Sequence, residues 1–352
     1  MKSWLTEERE AYVLGLLRVA FSLLLLRLTL KTAQEAWPGP YFGDVFHRPL
    51  LPAGFVLGKQ AYAGLLALQG LGCLLSLLGI AARPALLLAA LGGLYGLLCD
   101  RLHYHNNRYE LLLLTLLVSL TPCDRSFLPF RAARPGPAPR WAAHLVGAQL
   151  SVVYLASSLG KLFDADWRGG VVMLHRFAVG KPFAEQYLGA GASELLSAPW
   201  FAHAASLLAI ASELFLALGL WLPRSRALCL WLGVMFHLGI ELSARVELFS
   251  YTMLSGYLVF VTPELQERCL SWNARTTAGQ RLGALFARLD ILARFRHEQS
   301  ADQATLLVAR DRDGRAHQGL AAFRELARAM PVLFPLWLPL RLLTWRTQRG
   351  SA

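Results

Sequence analysis

The feature that most constrains this chain is a series of uninterrupted apolar stretches, each close to the ~20 residues an α-helix needs to cross a bilayer. They recur along roughly the first 260 positions. Only helices and closed barrels span lipid, because backbone groups there must pair internally. A barrel would show alternating strands of ~10 residues, whereas these segments are continuous and rich in Leu and Ala. The composition agrees: 55% of residues are hydrophobic and 16% charged, against about a quarter charged in a soluble chain. The sequence therefore predicts an all-α, polytopic transmembrane helical bundle.

Eight spans are expected, near 12–30, 61–81, 84–100, 103–121, 141–160, 200–221, 226–243 and 246–262. The division is a transmembrane domain over 1–262 and a short, Arg-rich cytoplasmic tail over 263–352. Orientation follows from Lys and Arg in the short loops. The cluster Arg125, Arg131, Arg134 and Arg140, together with the tail, places both termini in the cytoplasm. A bacterial inner membrane is the expected location.

The formal net charge of +12 does not point to nucleic acid, since Arg in loops and tail beside anionic headgroups accounts for it. The five cysteines are scattered, without a Cys-x-x-Cys pair, and read as small apolar packing residues. Glu7, Glu8, Arg9 and Glu10 precede the first apolar run and Arg18 interrupts it, unlike a cleavable signal.

Polar residues at membrane depth are costly unless they face protein or a wet cavity, and so mark functional candidates. The apolar part of the fourth span, Leu111 to Leu120, is too short to cross alone. It must draw in Leu102-His103-Tyr104-His105-Asn106-Asn107-Arg108-Tyr109-Glu110. An interfacial helix start, with the tyrosines among headgroups and Arg108 snorkelling, reads equally well. Lys161 lies where the fifth span ends, as a proton-accepting amine or a snorkelling side chain beside Trp167. His237 and Glu241 are four apart, hence on one helix face, as helix-packing, relay or ligand residues. Arg18 and Glu213 sit within the first and sixth spans, and mutual pairing is the simplest expectation. The third-to-fourth loop and the ends of the fifth and seventh spans fall on the non-cytoplasmic side, which predicts one shared cavity there.

At these residues the chain resembles the HTTM membrane domain, whose best-known members are the vitamin K-dependent γ-glutamyl carboxylases. Tyr154 to Gly169, containing Lys161-Leu162-Phe163-Asp164-Ala165-Asp166-Trp167, is similar to that family's Lys-Leu-Asp-Ala-Asp-Trp signature with Phe163 as an extra residue. Phe236-His237-Leu238 and Leu248-Phe249-Ser250 resemble two further blocks, and Gly15-Leu16-Leu17-Arg18 and Asn106-Asn107-Arg108-Tyr109 are weaker echoes. The resemblance implies Lys161 as general base toward a reduced quinone of the vitamin K or menaquinol type, with His105, Asn106 and Asn107 as further catalytic candidates. Asp164, Asp166, Trp167, Arg18, Glu213, His237 and Glu241 would support the site or bind substrate, and no metal is expected. The sequence departs from the carboxylases in one important place. They carry Asn-Asn-His before the corresponding Tyr, whereas the order here is His105-Asn106-Asn107-Arg108, so the His expected at 107 is Asn. No counterpart of their large lumenal domain follows the last span. In the tail, 313–324 and 331–338 resemble the end of DCC-type thiol-disulfide oxidoreductase-like proteins. Without the Asp-Cys-Cys constellation, 285–330 reads as a remnant lacking redox activity, and the apolar run 331–344 as lying on the membrane surface.

Two function classes follow: a quinol-dependent oxygenase or carboxylase acting on a peptide or small substrate, and a non-catalytic membrane factor for maturation or export of a secreted peptide. The expected partners are the lipid bilayer and such a peptide, not nucleic acid. A transporter is disfavoured, as no internal repeat or pair of matching broken helices is visible.

Overall fold

The computed structural model describes residues 4–36, 48–101, 104–127, 136–243, 246–261 and 265–349. Leu102, His103, Arg131 and Arg134 of the foregoing reading lie outside these segments. The chain divides into two compact units, Met1–Val261 and Thr262–Ala352.

The first unit is a helical bundle. Its main helices are α1 (Tyr12–Ala36), α2 (Lys59–Leu77), α3 (Ala82–Cys99), α4 (Asn106–Ser119), α5 (Arg140–Phe163), α7 (Val171–Leu188), α9 (Pro199–Gly219), α10 (Arg226–Ser243) and α11 (Phe249–Gly256), with a 3-10 turn at Tyr257–Phe260. Two short helices, α6 (Ala165–Arg168) and α8 (Ala190–Ser197), link α5 to α9 through α7. A small ribbon pairs β1 (Glu8–Glu10) antiparallel with β2 (Pro137–Pro139) at the other end of the bundle. Among the described residues, five helices (α1, α2, α3, α5 and α9) are long and apolar enough to cross a membrane. The remaining three expected spans fall on α4, α10 and α11. At 14 residues α4 reaches only about 21 Å.

The packing shows why α1 is central. Leu14, Leu17, Phe21, Leu25 and Leu28 recur at helical spacing and are buried, and Arg18, Ser22 and Thr29 share that inward stripe. The outward faces carry exposed Leu23, Leu68, Leu71, Leu88, Val152, Leu207, Leu208 and Leu218. Polar groups inside and leucines outside is the arrangement that a hydrocarbon solvent selects. This is a membrane protein.

Arg18 corrects one expectation. It does not meet Glu213. Its guanidinium is fully buried and donates to the carbonyls of Cys123 (3.1 Å), Ser126 (3.3 Å), Ser76 and Phe127. A planar five-donor fork suits the unpaired carbonyls at the end of α2 and in the turn after α4. Arg18 therefore ties three segments together at the end of the bundle opposite Glu213.

The second unit corrects the expected tail. It is a compact α/β fold, which the all-α class did not anticipate. A four-stranded sheet has the order β4-β3-β5-β6. Here β3 (Arg268–Asn273) runs parallel to β4 (Phe295–Ser300) and antiparallel to β5 (Leu307–Arg310), while β5 pairs antiparallel with β6 (Ala316–Gln318). Helix α12 (Thr277–Leu289) makes the parallel crossover, and α13 (Gly319–Ala329) follows β6. Both helices are amphipathic and bury Phe286, Ala322 and Leu326 against Leu270, Trp272, Phe295 and Leu307. Gly283 is required where α12 crosses Trp272, since a Cβ there would stand 2.3 Å from the indole. The fold thus begins well before residue 285. A 3-10 segment (Pro331–Leu336) leads into α14 (Trp337–Arg349), leaving Val332, Leu336, Leu342 and Leu343 exposed.

Candidate functional site

The Asp-Ala-Asp-Trp block is first a chain reversal. Helix α5 stops at Phe163, which is 80% exposed. Asp164 then caps α6, its carboxylate accepting from the backbone N–H of Asp166 (2.8 Å) and Trp167 (3.2 Å). Gly170 completes the turn at φ +81° and lies so close to α9 that a Cβ would be 2.6 Å from the His203 backbone. Ser206 of α9 donates to the Trp167 carbonyl. This turn brings Trp167 back over the end of α5. The Lys161 ammonium sits 4.7 Å from the Trp167 ring centroid, with Arg176 of α7 at 5.1 Å from the same ring.

Lys161 forms an ion pair with Glu213 of α9 and donates to Ser157 Oγ at 2.9 Å. Ser157 in turn donates to Glu213 Oε1 at 3.2 Å. Glu213 Oε2 is buried and bonds to nothing among the described residues. A Lys–Glu pair can hold its proton in two ways, as ammonium with carboxylate or as amine with carboxylic acid. Only the second presents a free base.

These groups line a cavity of about 540 Å³ within the first unit, inside the ~300–1,000 Å³ range of small-molecule sites. Asn106, Asn107 and Glu110 of α4 face Ser157 and Lys161 of α5 and Glu213 of α9 across it. Phe236, Ile240 and Phe249 supply an apolar wall. Of the residues singled out in the sequence, Lys161, Asn106, Asn107, Trp167 and Glu213 come together here. His105 does not line the cavity: it is exposed at the start of α4. Asp164 and Asp166 are exposed, and the structure gives Asp164 a capping role.

His237 belongs to a neighbouring buried cluster. Its Nε2 is 2.7 Å from the Tyr154 hydroxyl, which also meets the Tyr257 hydroxyl. Gly233 makes room, as a Cβ there would stand 2.3 Å from the Tyr257 oxygen. Glu241 takes no part in that cluster, and its Oε1 is buried without a partner among the described residues. No group of His, Cys, Asp and Glu suited to a metal occurs among the described residues.

Outside the cavity lining, Arg108 pairs with Glu247 at 3.2 Å and Glu35 at 3.5 Å, and Lys31 pairs with both acids. The network joins α1, α4 and the chain before α11 at Glu247, the neighbour of the cavity-lining Val246.

A family model, the HTTM domain, matches residues 7–265. The chain belongs to the HTTM domain family. The match takes in α1 to α11 and therefore every residue of the cavity. No solved structure matches the chain.

Sequence reasoning passed over several residues of this HTTM site. Glu110 stood inside the polar run but drew no attention, although its four-residue spacing from Asn106 puts both on one face of α4. Ser157 has the same relation to Lys161. Arg176 and Met173 come from α7, where Lys181-Pro182 breaks the apolar pattern and hides the helix.

Proposed function

We propose that the cavity is a quinol site and that this HTTM protein is a quinol-dependent oxygenase or carboxylase, with Lys161 as general base and its site near the non-cytoplasmic membrane face. The observation that carries this reading is the convergence of Lys161, Glu213, Ser157, Asn106 and Asn107 on one aromatic-walled cavity in a bundle of apolar helices. An aromatic ring with two hydroxyls and an apolar tail fits such a site. Phe236, Phe249 and Trp167 would flank the ring, and the buried, unpaired oxygens of Glu110 and Glu213 would accept hydrogen bonds from its hydroxyls. When bound, a reduced quinone supplies the electrons for oxygen chemistry. The chain's own part is proton handling: Glu213 takes the Lys161 proton, Ser157 bridges the two, and the neutral amine then accepts a hydroxyl proton. The expected arrangement is eight spans with both termini in the cytoplasm of a bacterial inner membrane, and a peptide or small molecule as second substrate.

One observation favours the second reading, a non-catalytic factor for maturation or export of a secreted peptide. The position where the carboxylases carry His is Asn107, and His105 points elsewhere. The second unit carries no Cys-x-x-Cys pair. Its βαβ order is one in which a Cys-x-x-Cys pair would open the helix, yet α12 opens with Thr276-Thr277-Ala278-Gly279 and Cys269 is buried in β3. It fits a remnant of the DCC-type proteins.

The test is epoxide formation from vitamin K hydroquinone or menaquinol by protein in nanodiscs with oxygen and bicarbonate. Epoxide from wild type that disappears in Lys161→Ala supports the enzyme. No epoxide, with a secreted peptide copurifying equally with wild type and Lys161→Ala, supports the maturation factor.

A further inference from the structure

Glu110 stands on the cavity apart from the Lys161–Glu213–Ser157 hydrogen-bond set. It is 5% exposed, and one oxygen, Oε2, accepts from Gln149 Nε2 at 3.1 Å. The other, Oε1, bonds to nothing among the described residues. Unlike Glu213, it forms no ion pair there. A buried carboxylate held by one neutral amide and lacking a cation is expensive, and such an atom calls for an explanation. Glu213 Oε2 has the same status on the same cavity. The site therefore holds two unpaired carboxyl oxygens, one on α4 and one on α9, between aromatic walls.

We propose that Glu110 makes the cavity selective for the reduced ring, and this rests on the quinol reading above. A carboxylate oxygen accepts a hydrogen bond from a ring hydroxyl, whereas a quinone carbonyl offers no proton and sets two acceptors against each other. With both carboxyls ionised in the resting site, before any proton leaves Lys161, Glu110 accepts from one hydroxyl and Glu213 from the other, so the reduced form satisfies both oxygens and the oxidised form neither. An oxidised product is thus released and a reduced substrate retained. Glu110 is here a specificity residue whose effect is on binding.

The experiment is equilibrium binding of menadiol (kept reduced under argon) and menadione to protein in nanodiscs, with empty nanodiscs subtracted for lipid partitioning. Wild type should bind menadiol roughly tenfold or more tighter than menadione, about one good hydrogen bond to a charged acceptor. Glu110→Gln, whose amide can donate to a carbonyl, should bring that ratio to about one or invert it, while Glu110→Asp should keep the preference with weaker binding. The monomethyl ether of menadiol, lacking one donor, should bind wild type roughly tenfold more weakly than menadiol, a result that needs no variant to fold. Wild type that binds both forms equally, or a ratio unmoved in Glu110→Gln, overturns the selectivity proposal and leaves the quinol site standing. Neither form binding above empty nanodiscs overturns the quinol reading, and this proposal with it.

Discussion

Replacing Arg18 by Met removes every donor of a fully buried guanidinium while keeping an unbranched apolar stem of similar reach. Wild type makes five hydrogen bonds from this side chain, to the carbonyls of Ser76, Leu77, Cys123, Ser126 and Phe127. At a net ~1 kcal/mol each, their loss comes to about 5 kcal/mol. Most bonds lead to the turn after α4, so that turn should loosen first. Arg27 on the same helix is the control, because it is exposed. Arg27→Met should cost no more than about 0.5 kcal/mol, the range of ordinary surface changes. Arg18→Lys should fall between, since a compact ammonium reaches only part of the carbonyl set. Unfolding in mixed micelles, followed by tryptophan fluorescence, gives the differences. An Arg18→Met protein within about 1 kcal/mol of wild type would show that the carbonyl cradle does not hold the bundle end.

Four further outcomes are expected. Lys161→Met and Glu213→Gln should each destabilise by about 3–5 kcal/mol, because each strands a partly buried partner. The double variant should cost clearly less than their sum, and strict additivity in the same unfolding assay would deny the pair. Gly233→Ala should cost about 1–3 kcal/mol by driving a methyl into the Tyr257 ring, and it should alter the near-ultraviolet circular dichroism of the Tyr154–Tyr257 pair. In the second unit, burial would raise the Asp311 carboxyl. Hydrogen bonds from His317 (2.9 Å) and the N–H groups of Arg315 and Asp313 outweigh it and hold the group below the ordinary aspartate range. A folded value below the unfolded ~3.9 means stability complete above pH ~4 and lost as pH falls through the folded value. Hydrogen exchange of the β5–β6 turn should show that loss in wild type and a flatter profile in Asp311→Asn. Burial, with Glu298 beside it, pushes the Cys269 thiol up, so a thiol reagent at pH 8 should label it only on unfolding.

Much of the membrane unit was legible because lipid imposes a simple rule on length and hydropathy, and α1, α2, α3, α5 and α9 obey it. Helices α4, α10 and α11 are shorter or polar because their cost is met by protein contacts, as with Glu110 and Gln149, and hydropathy does not see contacts. The expected Arg18–Glu213 pair failed because composition supplies charges without heights: Arg18 lies near the start of α1 and Glu213 deep in α9. Helix α7 was hidden by Lys181-Pro182. The second unit was missed since β3 reads Arg-Cys-Leu-Ser-Trp-Asn, with no alternation, as both its faces are buried. Lys161 and Trp167 stood out through a local block, yet the partners that define their chemistry, Ser157, Glu110 and Glu213, come from a turn earlier and from other helices.

The most direct measurement of the central claim is photolabelling with an azido-naphthoquinol in nanodiscs, followed by mass-spectrometric mapping of the adducts. The account predicts labels on the start of α4 around Asn106 to Glu110, the end of α5 around Val153 to Lys161, and Trp167 to Arg176, all competed by menadiol. Labels spread over the outward leucines of α2 and α3, or unaffected by menadiol, would contradict it.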